Sequence, residues 1–147
     1  MTAAVTRRTV AARTTLVVAA RTTWSEFPTV WPSLLDQVWG CLRAAGINSG
    51  CPNVMLYLDG VPHVEIGVLT EEPVPPSGRV IRSSLPAGSV VTTRHRGSYS
   101  GLGAAHAAVR RWCADRGHRL AGPRWEIYGP HRDDPAESEV EVSHLLA

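Results

Sequence analysis

The sequence predicts an α+β domain built from a strand-helix-strand-strand unit used twice, and three observations carry that prediction. An apolar stripe at helical spacing stands between strand-like runs, and the same order of runs returns in the second half. Marker residues of the two halves also align at one constant offset of 71 positions: Gly46 with Gly117, Pro52 with Pro123 and Tyr57 with Tyr128. One helix on a small sheet leaves a sheet edge uncovered, so each half completes its burial against the other. The expected architecture is an antiparallel sheet with pseudo-two-fold symmetry, and the groove between the repeats is the natural place for a ligand.

Taken in order, residues 9–23 mix Val, Thr, Ala and Leu in short apolar stretches that suit a first strand. Trp31-Pro32-Ser33 opens a helix in which Trp31, Leu34, Leu35, Val38, Leu42 and Ala45 recur three and four apart, with Pro32 in its first turn and Gly46 as its stop. Residues 54–58 and 64–69 are strands around an Asp59-Gly60 hairpin signal. Pro73, Pro75, Pro76 and Gly78 mark a linker over residues 71–79. In the second half, residues 80–93 read as strand, and Leu102, Ala105, His106, Val109, Trp112 and Cys113 form a helical stripe ending at Gly117. Residues 125–128 and 140–146 then supply two closing strands. Repeat one covers about 9–70 and repeat two about 80–146, in one domain spanning 1–147.

Composition narrows the function classes. An apolar content of 44% over 147 residues suffices for one buried core, and no apolar run approaches the roughly 20 residues of a membrane span. Arg7, Arg8, Arg13 and Arg21 without an acid nearby look superficially like a transit peptide. The strand pattern and the missing signal-peptide core point instead to a cytoplasmic protein. All fifteen basic residues are Arg, which removes Schiff-base lysine chemistry. A net charge of +2 does not call for a polyanionic partner, although seven Arg between 94 and 124 meet only Asp115 in that stretch. Cys41, Cys51 and Cys113 have no CxxC spacing and the six His no paired spacing, so neither a metal nor a cofactor is expected.

Strand alternation places Arg124, Glu126 and Tyr128 on one face, and Trp125 and Ile127 on the other. The offset puts Met55 and Tyr57 on the matching face of the first half, so a groove would be walled by Tyr57 and Tyr128 with Glu126 on its floor. The alternative is an exposed Arg124–Glu126 pair worth roughly 0 to 1 kcal/mol. Trp112 and Trp125 read as core. Trp39 is positioned to roof the groove, while Trp24 and Trp31 stay unassigned. Tyr99 lies just before the second helix, where Ser100 would cap and Gly97 would turn the chain. His106 reads as a satisfied core or pocket-edge histidine.

The run Arg96-Gly97-Ser98-Tyr99-Ser100-Gly101-Leu102, then Trp112, Gly117 and Ala121-Gly122-Pro123-Arg124-Trp125-Glu126-Ile127-Tyr128, resembles the GyrI-like small-molecule-binding family, the effector-binding domain of AraC-type and MerR-type regulators. The likeness is concentrated in residues 91–128. It implies a duplicated fold with its pocket between the repeats, the pocket glutamate at Glu126 and accompanying aromatics at Tyr128 and Tyr99. The function it implies is that of a free-standing binder of flat, apolar or cationic compounds, for drug sequestration or sensing. The alternative is a cyclopropanoid hydrolase, with Glu126 as general base and Tyr128 or Tyr99 orienting water or donating to the developing phenolate. Inhibition of a topoisomerase is a third possibility, by analogy alone. The first strand lies close to the start of the sequence, so no attached DNA-binding domain is expected, and the small net charge makes a nucleic-acid partner unexpected as well.

Overall fold

A computed structural model describes residues 3–147; the first two positions of the expected 1–147 domain lie outside the described residues. The chain runs β1 (Thr6–Val10), β2 (Arg13–Arg21), α1 (Phe27–Ala44), β3 (Asn53–Tyr57), β4 (His63–Leu69), β5 (Val80–Leu85), β6 (Gly88–Arg96), α2 (Leu102–Asp115), β7 (Leu120–Tyr128) and β8 (Glu139–Leu146). The eight strands form one sheet in the order β1-β6-β8-β7-β3-β4-β2-β5, with the neighbouring strands antiparallel. The order β6-β8-β7 on one side mirrors β2-β4-β3 on the other, which is the duplicated unit that the spacing predicts.

Met55 pairs with Glu126 across the central β3–β7 seam, and the 71-residue offset exchanges the same two positions. That pair therefore sits on the pseudo-two-fold axis, with Tyr57 and Tyr128 as its symmetric flanks. The outermost strands are exchanged between the halves: β1 leads into the first unit but pairs with β6 of the second, and β5 leads into the second unit but pairs with β2 of the first.

Two short links bend the sheet. β1 and β2 are six places apart in strand order, roughly 29 Å in a flat sheet. Only Ala11 and Ala12 join them, a span of about 10 Å at most. The sheet must therefore curl until its ends approach, and the enclosed face buries Val17, Leu56, Leu85, Val90 and Trp125 together. At Gly67 the bend is so tight that a Cβ would lie 1.9 Å from the carbonyl oxygen of Leu16. The other face carries both helices. α1 covers Leu16, Val18, Ile66 and Val68 through Leu34, Val38, Cys41 and Leu42. α2 covers Val91, Val140 and Val142 through Ala105, Val109 and Cys113.

Several local expectations are corrected. α1 begins at Phe27, because Thr23 accepts from the amides of Glu26 and Phe27 and turns the chain early; Pro28 occupies the first turn and Pro32 lies inside the helix on its exposed side. The runs at 9–23 and 80–93 are each two strands, broken at Ala11-Ala12 and Pro86-Ala87 where the chain crosses from one end of the curled sheet to the other. Ser98, not Ser100, caps the turn before α2: its Oγ accepts from the Ser100 amide. Trp112 is at the border of the core, stacked on His118 at 5.6 Å with Arg116 4.1 Å over its ring. No helix among the described residues is long and apolar enough to cross a membrane.

Candidate functional site

The alternation of β7 sends Glu126 to the helix-bearing face at the centre of the sheet, where it is 5% exposed. The expected alternative of an exposed Arg124–Glu126 pair is therefore overturned by burial. Both carboxylate oxygens are engaged by side chains, from β3, β7 itself and α2. Tyr57 on β3 and Tyr128 on β7 donate their hydroxyls to Oε1 at 2.9 and 2.7 Å. His106 on α2 places Nε2 2.7 Å from Oε2. Behind it, His106 Nδ1 lies 2.8 Å from Nε2 of His144 on β8. A buried carboxylate is tolerable only when such donors replace its lost hydration.

The phenols respond to that environment. Burial first, and then the Glu126 charge, push Tyr57 and Tyr128 well above the ordinary tyrosine range, so both remain donors. Burial first, then the neighbouring His106, Arg124 and Arg110, lower His144 to about 3, so it is a neutral ring.

Aromatic rings sheathe this centre on both sides. Tyr57 contacts Trp24 at 5.6 Å and Phe27 at 5.7 Å between centroids, while Tyr99 meets Tyr128 edge-on at 5.5 Å. Trp24 and Tyr99 are the outer members, each about half exposed. Trp24 is tied down by its Nε1–H to the carbonyl of Gly60 at 3.2 Å. The Arg124 guanidinium lies 5.5 Å over the Tyr57 ring and 5.7 Å over Trp24, so these aromatic faces already hold a cation.

The residues singled out from sequence are placed as follows. Glu126, Tyr57 and Tyr128 share one hydrogen-bonded cluster, and Met55 lies beneath it with its sulfur 3.6 Å from the Tyr57 hydroxyl and 3.8 Å from that of Tyr128. Tyr99 joins through Tyr128 alone. It is held there because His95 caps its loop, with Nε2 2.7 Å from the Ser98 carbonyl, and because Gly101 leaves room where a Cβ would sit 2.6 Å from the His95 ring. Trp39 is not over Glu126. Its Nε1–H bonds Asn53 Oδ1 at 2.9 Å, and it borders a hollow of about 530 Å³ shared with Cys51, Asn53, Tyr128, Pro130 and Glu139.

Sequence reasoning missed the histidine pair as a unit, and Trp24 and Phe27 as sheath. His106 was visible on the α2 stripe. His144 had a signal as well: Val140, Val142 and His144 alternate onto one face of β8, and the register pairs His144 with Arg124 and Val142 with Glu126. What the linear sequence lacked was the placement of α2 over that strand.

An antiparallel sheet with two helices on one face, curled on the other, and a buried acid on the pseudo-two-fold axis define a duplicated α+β binding domain. Residues 4–144 match the GyrI-like small molecule binding domain, and the chain belongs to that family. Among solved structures it is similar to the C-terminal domain of EcmrR, with 19% identity and a TM-score of 0.76 over 98% of this chain and 97% of that one. It spans 57% of the EcmrR chain solved in complex with DNA. It is also similar to a hydrolase from Listeria innocua, with 12% identity and a TM-score of 0.64 over 97% and 91% of the two chains. A third similar structure is SAV2435 bound to tetraphenylphosphonium, with 8% identity and a TM-score of 0.67 over 99% and 94%. At these identities the likeness is one of fold alone. No curated protein matches the sequence.

Proposed function

We propose that the chain binds flat, apolar or cationic small molecules at Glu126, in the manner of a sequestering or sensing protein. The observation that carries this reading is a 5%-exposed carboxylate held by two phenols and an imidazole and sheathed by Trp24, Phe27, Tyr57, Tyr99 and Tyr128. A structural acid needs no such aromatic casing. A cation arriving at Glu126 replaces donated hydrogen bonds by direct charge pairing, and ring faces add roughly 0.5 to 2 kcal/mol of cation–π attraction. The Arg124 guanidinium over Tyr57 and Trp24 supports the same chemistry, since it occupies the ring faces that a guest cation would use. The binding of tetraphenylphosphonium by SAV2435 supplies a probe. Titration with that cation should quench tryptophan fluorescence saturably, and Glu126→Gln should weaken binding about tenfold or more, the loss of one desolvated charge contact. Unchanged affinity in that variant removes Glu126 from the site.

A second reading is cyclopropanoid hydrolysis, favoured by the link from Glu126 through His106 to His144. Glu126 takes a proton from water as the water oxygen bonds a cyclopropane carbon; a ring C–C bond to that carbon breaks, and its electron pair passes to the conjugated carbonyl as a phenolate, which accepts a hydrogen bond from Tyr128 or Tyr99 and then the proton that Glu126 took. Incubation with a cyclopropane-bearing alkylator and mass spectrometry of the product tests this. A water adduct formed equally fast by wild type and Glu126→Gln ends it.

A further inference from the structure

We propose that His106, backed by His144, is placed to exchange a proton for a cationic guest at Glu126. The inference rests on the small-molecule reading of the same site and adds what decides between charged and neutral guests.

The geometry allows the histidine pair two states with the same contacts. In the first, His106 is neutral: Nε2–H donates to Glu126 Oε2, and Nδ1 accepts from Nε2–H of His144. In the second, His106 carries both protons: Nε2–H still donates to Glu126, and Nδ1–H now donates to Nε2 of His144, whose own hydrogen moves to Nδ1. One proton is added, and both contacts at 2.7 and 2.8 Å persist without movement of a side chain. A lone histidine against a carboxylate has no such acceptor waiting behind it.

The surroundings put the added charge on His106. His144 is 2% exposed, and burial, His106, Arg124 and Arg110 all oppose its protonation. Tyr57 and Tyr128 stay neutral because burial and the Glu126 charge oppose phenolate. Among the described residues around the acid, from β3, β7, β8 and α2, only His106 is both in contact with it and able to change charge to positive. A guest cation and a protonated His106 then compete for one carboxylate, and like charges within one site repel. Linkage makes the effect reciprocal: protons weaken the cation, and the cation expels a proton. A neutral flat guest makes no such exchange.

Tetraphenylphosphonium is the suitable probe, because it is a permanent cation with no proton of its own. Calorimetry at about pH 5.5 and about pH 8.5, either side of the range where histidines change charge, should show affinity rising about tenfold with pH. The heat should depend on the ionisation enthalpy of the buffer, reporting proton release. His106→Gln keeps an N–H for Glu126 but holds no exchangeable proton, so it should bind with neither dependence. Equal affinity at both pH values without proton release overturns the exchange and leaves the small-molecule reading standing; so does a pH dependence that persists in His106→Gln. No saturable binding at either pH removes that reading and the exchange with it. Should His106→Gln fail to fold, long-range nitrogen–proton NMR of the ligand-free wild type decides. The His144 hydrogen should move from Nε2 to Nδ1 as pH falls, and a His144 tautomer unchanged throughout overturns the proposal.

Discussion

At the scale of single residues, the protein keeps its most costly group, the Glu126 carboxylate, by surrounding it with donors rather than with a fixed opposing charge. Arg124, two residues away on the same face, spends its charge on the rings of Tyr57 and Trp24 instead. A permanent Arg partner would hold the acid as an inert ion pair, whereas phenols and imidazole can give way. The same burial makes His144 sensitive to acid. Its folded-state pKa is about 3, below the ordinary histidine value of about 6.5. Between those values the unfolded chain takes up a proton that the native ring refuses, so stability is present above about pH 6.5 and lost as pH falls towards 3. This residue contributes a slope of up to about 1.4 kcal/mol per pH unit. Urea unfolding at several acidic pH values should show that slope, reduced by up to one proton in His144→Asn, which offers His106 a hydrogen bond but does not titrate. An identical slope in both proteins would show that His144 is not held neutral.

At the scale of elements, the sheet is shaped where the sequence gives least warning. Gly67 lies in the middle of β4, paired with Val17 and Val54, and carries no turn signal. It is needed because the Leu16 carbonyl approaches to where its Cβ would be. Gly67→Ala should destabilise by about 3 kcal/mol or more, since backbone and not a flexible side chain must yield; a loss within about 0.5 kcal/mol in urea unfolding would mean that the two strands separate freely there. The contrast shows what was legible. Helical stripes from Leu34 to Leu42 and from Ala105 to Cys113, and the Asp59-Gly60 hairpin, were readable because local periodicity and turn chemistry determine them. The break at Ala11-Ala12 was not, because no turn residue marks it and only the curl of the whole sheet requires the crossing, whereas Pro86 and Gly88 did mark the break at Pro86-Ala87 within a run read as one strand. Alternation plus the repeat placed Tyr57, Glu126 and Tyr128 on one face but left an exposed Arg124–Glu126 pair open, and it was the resemblance that pointed to a buried Glu126. Trp24 and the His106–His144 contact depend on loop and helix placement, which no spacing encodes.

At the scale of the whole molecule, the exchanged edge strands decide whether either half is a folding unit. Cutting between Pro76 and Ser77 leaves β1 to β4 with α1 on one fragment and β5 to β8 with α2 on the other. The first fragment then has β1 without its partner β6, β2 without β5, and β3 with the open seam that β7 filled. The second is left with the converse edges, and the enclosed cluster is divided, with Val17, Val54, Leu56 and Leu69 on one piece and Leu85, Val90 and Trp125 on the other. A three-stranded sheet with one helix and an uncovered apolar face falls short of the burial that offsets chain entropy. Each fragment alone should therefore give a disordered far-UV circular dichroism spectrum, and an equimolar mixture should regain sheet and helix with Trp125 fluorescence shifted to the blue. The binding centre should return only in the mixture, because Tyr57 comes from one fragment and Glu126, His106 and His144 from the other. A single fragment that melts cooperatively on its own would show that the exchanged strands decorate two independent units rather than lock them together.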